Sequence, residues 1–145
     1  MTSSAALLLR PLYRVVVPRA VAEELSARPD ASGSGVVSLD WVSPRAPDAE
    51  SVRRVGREPP AVGRGEMEVI ALGLDLSCPV VLDDRKARLR ARRAGLEITG
   101  TLGVLLRLHR LRLTSRNLEE DLRLLEVADM RISPELRRAV FEADS

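Results

Sequence analysis

The segment VVLDDRKAR, residues 80–88, shows the organisation of this chain most clearly. Its uninterrupted apolar start predicts a short strand of the kind that is buried on both faces in parallel sheets. Two aspartates follow at the carboxyl end of that strand. Helix formers then continue from Arg85 to Ala94, and Gly95 is a typical residue just beyond a helix. A strand that leads directly into a helix is the repeating unit of an α/β fold.

The same alternation of strand and helix continues on both sides of this segment. Apolar runs predict further strands at residues 15–17, 36–42 and 97–99. Helical periodicity and capping residues predict helices at residues 20–27, 66–76, 100–108 and 118–128, and from Ser133 onward. Asn117 with Glu120 is typical of a capping box at the start of the helix at residues 118–128. We therefore expect an α/β fold with a short parallel sheet flanked by helices, in one domain that spans residues 1–145.

The segment from residue 43 to residue 64 differs in composition from the rest of the chain. Prolines and glycines are interspersed there among charged residues. We expect a long flexible loop, with one short helix at about Ala49 to Val55. The arginines of this segment have planar guanidinium groups that suit contacts with phosphate. At the C-terminal end of the chain we expect helices over about residues 118–145.

Composition excludes several kinds of functional site. The chain has 145 residues, of which 45% are hydrophobic, so it can bury a core of domain size. One cysteine and one histidine, Cys78 and His109, exclude an intramolecular disulfide, a cysteine zinc cluster and a multi-histidine metal site. No apolar run approaches the roughly 20 residues of a membrane span, and we expect a cytoplasmic protein.

Each acidic residue near a strand end also has a simple structural explanation. Aspartate is a good helix N-cap, which explains one of Asp83 and Asp84 and leaves the other available. Glu66 in a first helical turn complements the helix dipole. Glu23 and Glu24 are consistent with a solvated helix face. Taken singly, none of these acids indicates a catalytic site.

Four segments in order, however, resemble the PIN-like family of metal-dependent ribonucleases, in a branch known only as a domain of unknown function. They are VVVPRAVAEEL at residues 15–25, GEMEVIALG at residues 65–73, VVLDDRKAR at residues 80–88 and ITGTLGVLL at residues 98–106. The resemblance extends from about Leu7 to Ser133. It implies a three-layer fold with a short parallel sheet between helices.

The resemblance also implies a chemistry. PIN-like nucleases use carboxylates to hold Mg²⁺ or Mn²⁺, which activates water for attack on an RNA phosphodiester. Carried over by position, Glu24, Glu66 and Asp84 become the catalytic, metal-holding acids, and Asp83 is the neighbour that caps, ligates or orients. The implied partners are RNA, an antitoxin protein and a second copy of the chain, with the protein acting as the toxin of the pair.

The family normally begins with a strand that ends in aspartate. This chain resembles the family from about residues 5–9, within the helix that follows, so we expect an N-terminally truncated fold without the first acidic ligand. Arg85, Arg88 and Arg92 lie near one helical face beside the acids, where they could contact RNA phosphates. A catalytically inactive PIN-like protein that binds nucleic acid or protein is the alternative. A receiver-like signalling domain fits less well, since its acids lie near the chain start and Lys86 falls inside the wrong helix.

Overall fold

The computed structural model describes residues 14–27 and 38–144. The strands are β1 (Val15–Pro18), β2 (Val42–Arg45), β3 (Val80–Val81) and β4 (Ile98–Thr99). The helices are α1 (Arg19–Ser26), α2 (Ala49–Arg57), α3 (Arg64–Leu76), α4 (Arg85–Arg93), α5 (Thr101–Arg110), α6 (Leu118–Val127) and α7 (Pro134–Asp144). This order confirms the α/β fold. No helix in the described ranges is long and apolar enough to cross a membrane.

Parallel pairing of the strands is confirmed, although the described strands form two separate two-stranded sheets. β1 pairs with β2 from Val15 opposite Val42 onward, and β3 pairs with β4 from Val80 opposite Ile98. The strand expected at residues 36–42 begins only at Val42, and residues 28–37 lie outside the described residues. Pro44 is tolerated in β2 because, within the described chain, β2 pairs along one side only.

Helix α3 lies at the centre of the described structure. It contacts β1 and β3, one strand from each sheet, and it also packs against α1, α2 and α4. Ile70 and Ala71 on its apolar face are 1% and 0% exposed, and the small residues Ala87 and Ala91 of α4 belong to the same core cluster. At Gly73 the helix backbone approaches β3 closely, since a Cβ there would lie 2.5 Å from Val80 Cγ1.

We expected residues 43–64 to form a long loop, and that expectation is wrong for the part of the segment that forms a strand and a helix. β2 extends to Arg45, and the short helix expected within the segment forms as α2. Asp48 caps α2 by accepting from Glu50 N at 2.7 Å, and its own N–H donates to Asp75 Oδ2 at 2.6 Å. Val55 is buried in the cluster around α3. Helix α2 has few apolar residues among many charged ones, so the sequence did not indicate that α2 packs against α3.

The apolar run in β3 is not buried on both faces as expected. Val80 and Leu82 are each 5% exposed, whereas Val81 between them is 53% exposed. Successive side chains of a strand point to opposite faces of a sheet. Only one face of this strand is therefore covered by the described residues.

The C-terminal helices pack around a second core and a buried polar network. Leu122 is 0% exposed in a cluster that also includes Leu102 and Val140. The capping box expected at the start of α6 forms. His109 of α5 donates from Nε2 to the buried Asp121 at 2.8 Å. Asp121 also accepts from Arg116 Nε at 2.8 Å, which fastens the turn between α5 and α6.

A pair of substitutions on α6 tests the C-terminal core. We expect Leu122→Ala to lower the free energy of unfolding by about 2–5 kcal/mol, because it leaves a cavity in a closed cluster. Val127→Ala on the same helix removes a side chain that is 83% exposed, and we expect a change within about 0.5 kcal/mol. Urea denaturation followed by circular dichroism measures both. Equal losses would contradict the described packing.

A glycine pair tests the contact between α3 and β3. We expect Gly73→Ala to destabilise the protein by about 1–3 kcal/mol through overpacking against Val80, although alanine is the better helix former. Gly56→Ala in α2 places its Cβ 3.4 Å from Met67 Sδ, an ordinary contact, and should be neutral or stabilising by up to about 1 kcal/mol. Val80→Ala added to Gly73→Ala should recover part of the loss. Additive losses in that double variant would argue against a direct clash.

Candidate functional site

The two aspartates after β3 each bind the N-terminus of a different helix. Asp84 is the N-cap of α4 and accepts from Ala87 N through Oδ1 at 2.8 Å. Asp83 instead reaches the start of α5, where it accepts from Thr101 N at 2.8 Å and from Thr101 Oγ1 at 2.5 Å. Capping was expected to explain only one aspartate, and that expectation is wrong. Within the described residues, Asp84 Oδ2 is left without a hydrogen bond.

Arg88 is held beside this strand end. Its Nη1 donates to the carbonyl of Leu82 at 3.0 Å. A Cβ on Gly100 would lie 2.8 Å from Arg88 Nη1 and 2.9 Å from Asp83 Oδ1, so the glycine makes room for both side chains. The other two arginines predicted to contact RNA, Arg85 and Arg92, are exposed on α4.

The two predicted glutamates both lie beside the first turn of α3. Glu24 of α1 lies against the backbone of that turn, with Oε1 3.3 Å from the position that a Cβ on Gly65 would occupy. Glu66 follows in the same turn, and its carboxylate bends back over Gly63. Neither carboxylate has a hydrogen-bond or ion-pair partner among residues 14–27 and 38–144. The free N–H groups of a helix N-terminus favour negative charge at this position.

Sequence reasoning missed Glu68, which holds this region together. Its side chain is buried, and Oε2 accepts from Ala20 N at 2.9 Å, in the first turn of α1. Arg64 pairs with Glu68 at 3.4 Å and with Glu23 at 3.3 Å. The buried hydrogen bond between Ala20 and Glu68 fixes α1, and with it Glu24, against the start of α3. The available signal was an acid between two apolar residues, Met67 and Val69, in a helix with apolar residues on several faces.

The glutamates and the aspartates lie toward the same end of the described structure. Gly73 packs on Val80 at one end of the contact between α3 and β3, and a tight turn links the two elements. From Gly73 back to Gly65 the helix rises about 12 Å. From Val80 forward to Asp84 an extended chain covers about 13 Å. The tight turn reverses the chain, so both segments run in the same direction away from the contact between Gly73 and Val80. The two lengths, measured from that contact, are therefore similar for the first turn of α3 and for Asp84.

These acids do not converge into a closed metal cluster in the described part of the chain. No group of three or more histidine, cysteine, aspartate or glutamate residues there lies close enough together to hold a metal ion. The structure brings Glu24 and Glu66 to one helix end, and Asp83 and Asp84 to one strand end. The assignment of Glu24, Glu66 and Asp84 as a metal site stays a prediction.

Comparison with known proteins identifies the family. The sequence model of one family, described as DUF3368: PIN domain, matches residues 3–144. No curated protein and no solved structure matches the chain. The match includes both acidic ends described above, and the order of helices and short parallel strands agrees with a PIN-like α/β fold. The resemblance found in four segments is thereby confirmed, and the chain belongs to this family of PIN domains.

Proposed function

We propose that this protein is a metal-dependent endoribonuclease that hydrolyses RNA phosphodiester bonds, as the toxin of a toxin–antitoxin pair. The observation that carries the proposal is the pair of glutamate carboxylates beside the first turn of α3, which have no partner among the described residues. Charged carboxylates gain stability from ion pairs or hydrogen bonds, and these lack such partners within the described residues. Membership of the PIN-domain family supports a divalent metal as their partner.

The donor chemistry of these residues suits Mg²⁺ or Mn²⁺. Both ions prefer oxygen ligands, and Mg²⁺ keeps several waters while using one or two carboxylates. Glu24, Glu66 and Asp84 would hold the ion, and the close approach of Glu24 to Gly65 is possible because no side chain intervenes. When bound, the ion lowers the pKa of a water molecule and neutralises charge on the phosphate.

The other residues of the site have positioning and binding roles in this proposal. Asp83 holds the start of α5 through Thr101 and keeps the turn after β3 in place. Arg88, fixed on the Leu82 carbonyl, faces the same turn. Arg85 and Arg92 are exposed and would form bidentate contacts with RNA phosphates. The proposed setting is the cytoplasm, with an antitoxin protein and a second copy of the chain as further partners.

A second function deserves a test because of the hydrogen bonds at the aspartates. Both oxygens of Asp83 and one oxygen of Asp84 are already bound by helix N-termini. A catalytically inactive PIN-like protein that binds nucleic acid or protein would need nothing more from them. Such a protein would bind RNA through the arginines of α4 and leave it intact.

The substitution Asp84→Asn separates these two functions. Asparagine caps a helix about as well as aspartate, so we expect the free energy of unfolding to change by less than about 1 kcal/mol. We expect Mn²⁺-dependent RNA cleavage to fall at least about a hundredfold, beyond the usual loss for a residue that only orients a metal ligand. Cleavage of a fluorescent oligoribonucleotide, with chelator as the blank, measures this rate.

Glutamates of α1 provide a matched control. Glu24→Gln should lower cleavage as Asp84→Asn does, because each removes one carboxylate of the proposed set. Glu23→Gln, whose carboxylate pairs with Arg64 instead, should retain most of the rate. A wild-type protein that binds RNA without cleaving it would support the inactive alternative. Equal cleavage by wild type and Asp84→Asn would overturn the site assignment.

A further inference from the structure

A cavity lies farther along α3 from its first turn. It has a volume of about 330 Å³ and is lined by residues of α2, α3 and α4 and of the segments that follow α2 and α4. Ile70 and Leu74 of α3 form part of its apolar wall. The helix rises about 8 Å from Gly65 to Ile70 and about 14 Å from Gly65 to Leu74, so this cavity is separate from the carboxylates at the first turn. Its charged lining residues are Arg54, Arg90, Arg93 and Glu58.

Arg90 is a buried cation without an acidic partner in the described chain. The residue is 5% exposed, and a guanidinium remains charged at all ordinary pH values. Its Nη1 donates to the carbonyl of Pro60 at 2.9 Å, and its Nη2 donates to the carbonyl of Val55. These neutral acceptors fasten α4 to the end of α2 and the segment after it. They do not neutralise the charge, and burying an unneutralised cation is costly.

Several donors in the cavity are still available. A guanidinium has five N–H groups, of which Arg90 uses two in the described hydrogen bonds. Arg93 makes one long bond, from Nη1 to the carbonyl of Pro59 at 3.4 Å. Arg54 has no hydrogen-bond or ion-pair partner among the described residues, and Glu58 likewise pairs with none of the arginines there. Three arginines against one glutamate leave a positive cavity with free donors.

We propose that this cavity binds a phosphate monoester that carries an apolar or aromatic body, such as a nucleoside monophosphate. A phosphate monoester carries a charge of about −1.5 to −2 at neutral pH, which matches the excess of two arginines over the single glutamate. Guanidinium groups bind phosphate oxygens in a bidentate manner. The apolar wall at Ile70 and Leu74 would contact the body of the ligand, and the volume lies at the small end of ligand pockets, which begin at about 300 Å³.

This site is independent of the proposed cleavage site. The same phosphate monoester could be a free nucleotide or the 5′-terminal nucleotide of an RNA. Binding needs neither a divalent metal nor an intact carboxylate set. It can therefore be measured in the presence of chelator, so that failure of one proposal leaves the other standing.

The test is calorimetric titration of the full chain with adenosine 5′-monophosphate in chelator, with adenosine and inorganic phosphate as comparison ligands. We expect saturable binding of the nucleotide, weaker binding of inorganic phosphate and none of adenosine. Arg90 is left unchanged because its bonds to Val55 and Pro60 support the fold. The double variant Arg54→Ala/Arg93→Ala should bind the nucleotide at least about tenfold more weakly, since it removes two charged donors.

Arg57→Ala is the matched control, because Arg57 is an exposed arginine of α2 that does not line the cavity. Its affinity should stay within about twofold of wild type. Competition by an oligoribonucleotide with a 5′-phosphate, but not by one with a 5′-hydroxyl, would identify RNA ends as a ligand. Nucleotide binding without such competition would identify free nucleotides. Absent nucleotide binding, equal binding of adenosine, or an equal loss in Arg57→Ala would overturn the proposal.

Discussion

The described sheets are held together by the packing of α3, because β1–β2 and β3–β4 share no backbone hydrogen bonds in the described chain. The helix contacts a strand of each sheet. On one side Glu68 accepts from Ala20 N, and on the other Gly73 allows the backbone to approach Val80. One contact is a buried charge-assisted hydrogen bond and the other is close apolar packing. Together they set the positions of α1 and β3, and therefore of every candidate functional residue on them.

The two ends of α3 differ in chemistry. The carboxylates of Glu24 and Glu66 lie beside its first turn. Near its last turns the cavity contains Arg90, a buried cation with only neutral acceptors in the described chain. Acidic groups suit a divalent cation, whereas the arginines suit a phosphate. A ribonuclease with these two features would have separate regions for a metal ion and for a nucleotide.

Local signals in the sequence predicted much of this fold. The capping box at Asn117 and Glu120 forms as expected, and Gly95 adopts φ +79° just after α4. Such features depend on neighbouring residues, so they can be read from short segments. The alternation of strands and helices, and their parallel pairing, follow from the same patterns.

What the sequence did not predict depends on distant partners. Glu68 and Ala20 are 48 residues apart, and no local pattern indicates their hydrogen bond. Asp83 binds Thr101, 18 residues later, so its use at a second helix start could not be inferred from its position before α4. The exposure of Val81 likewise depends on which elements cover the sheet face, which an apolar run does not specify.

Under the proposed function, Glu24, Glu66 and Asp84 hold the same divalent ion. Paramagnetic broadening of backbone amide signals by Mn²⁺ is a direct test, because the broadening falls steeply with distance from the ion. We expect the amides of Gly65, Glu66 and Asp84 to broaden together at low Mn²⁺, while those of Leu74 and Ala94 stay sharp. Broadening of only one of the two acidic regions, or of neither, would contradict it.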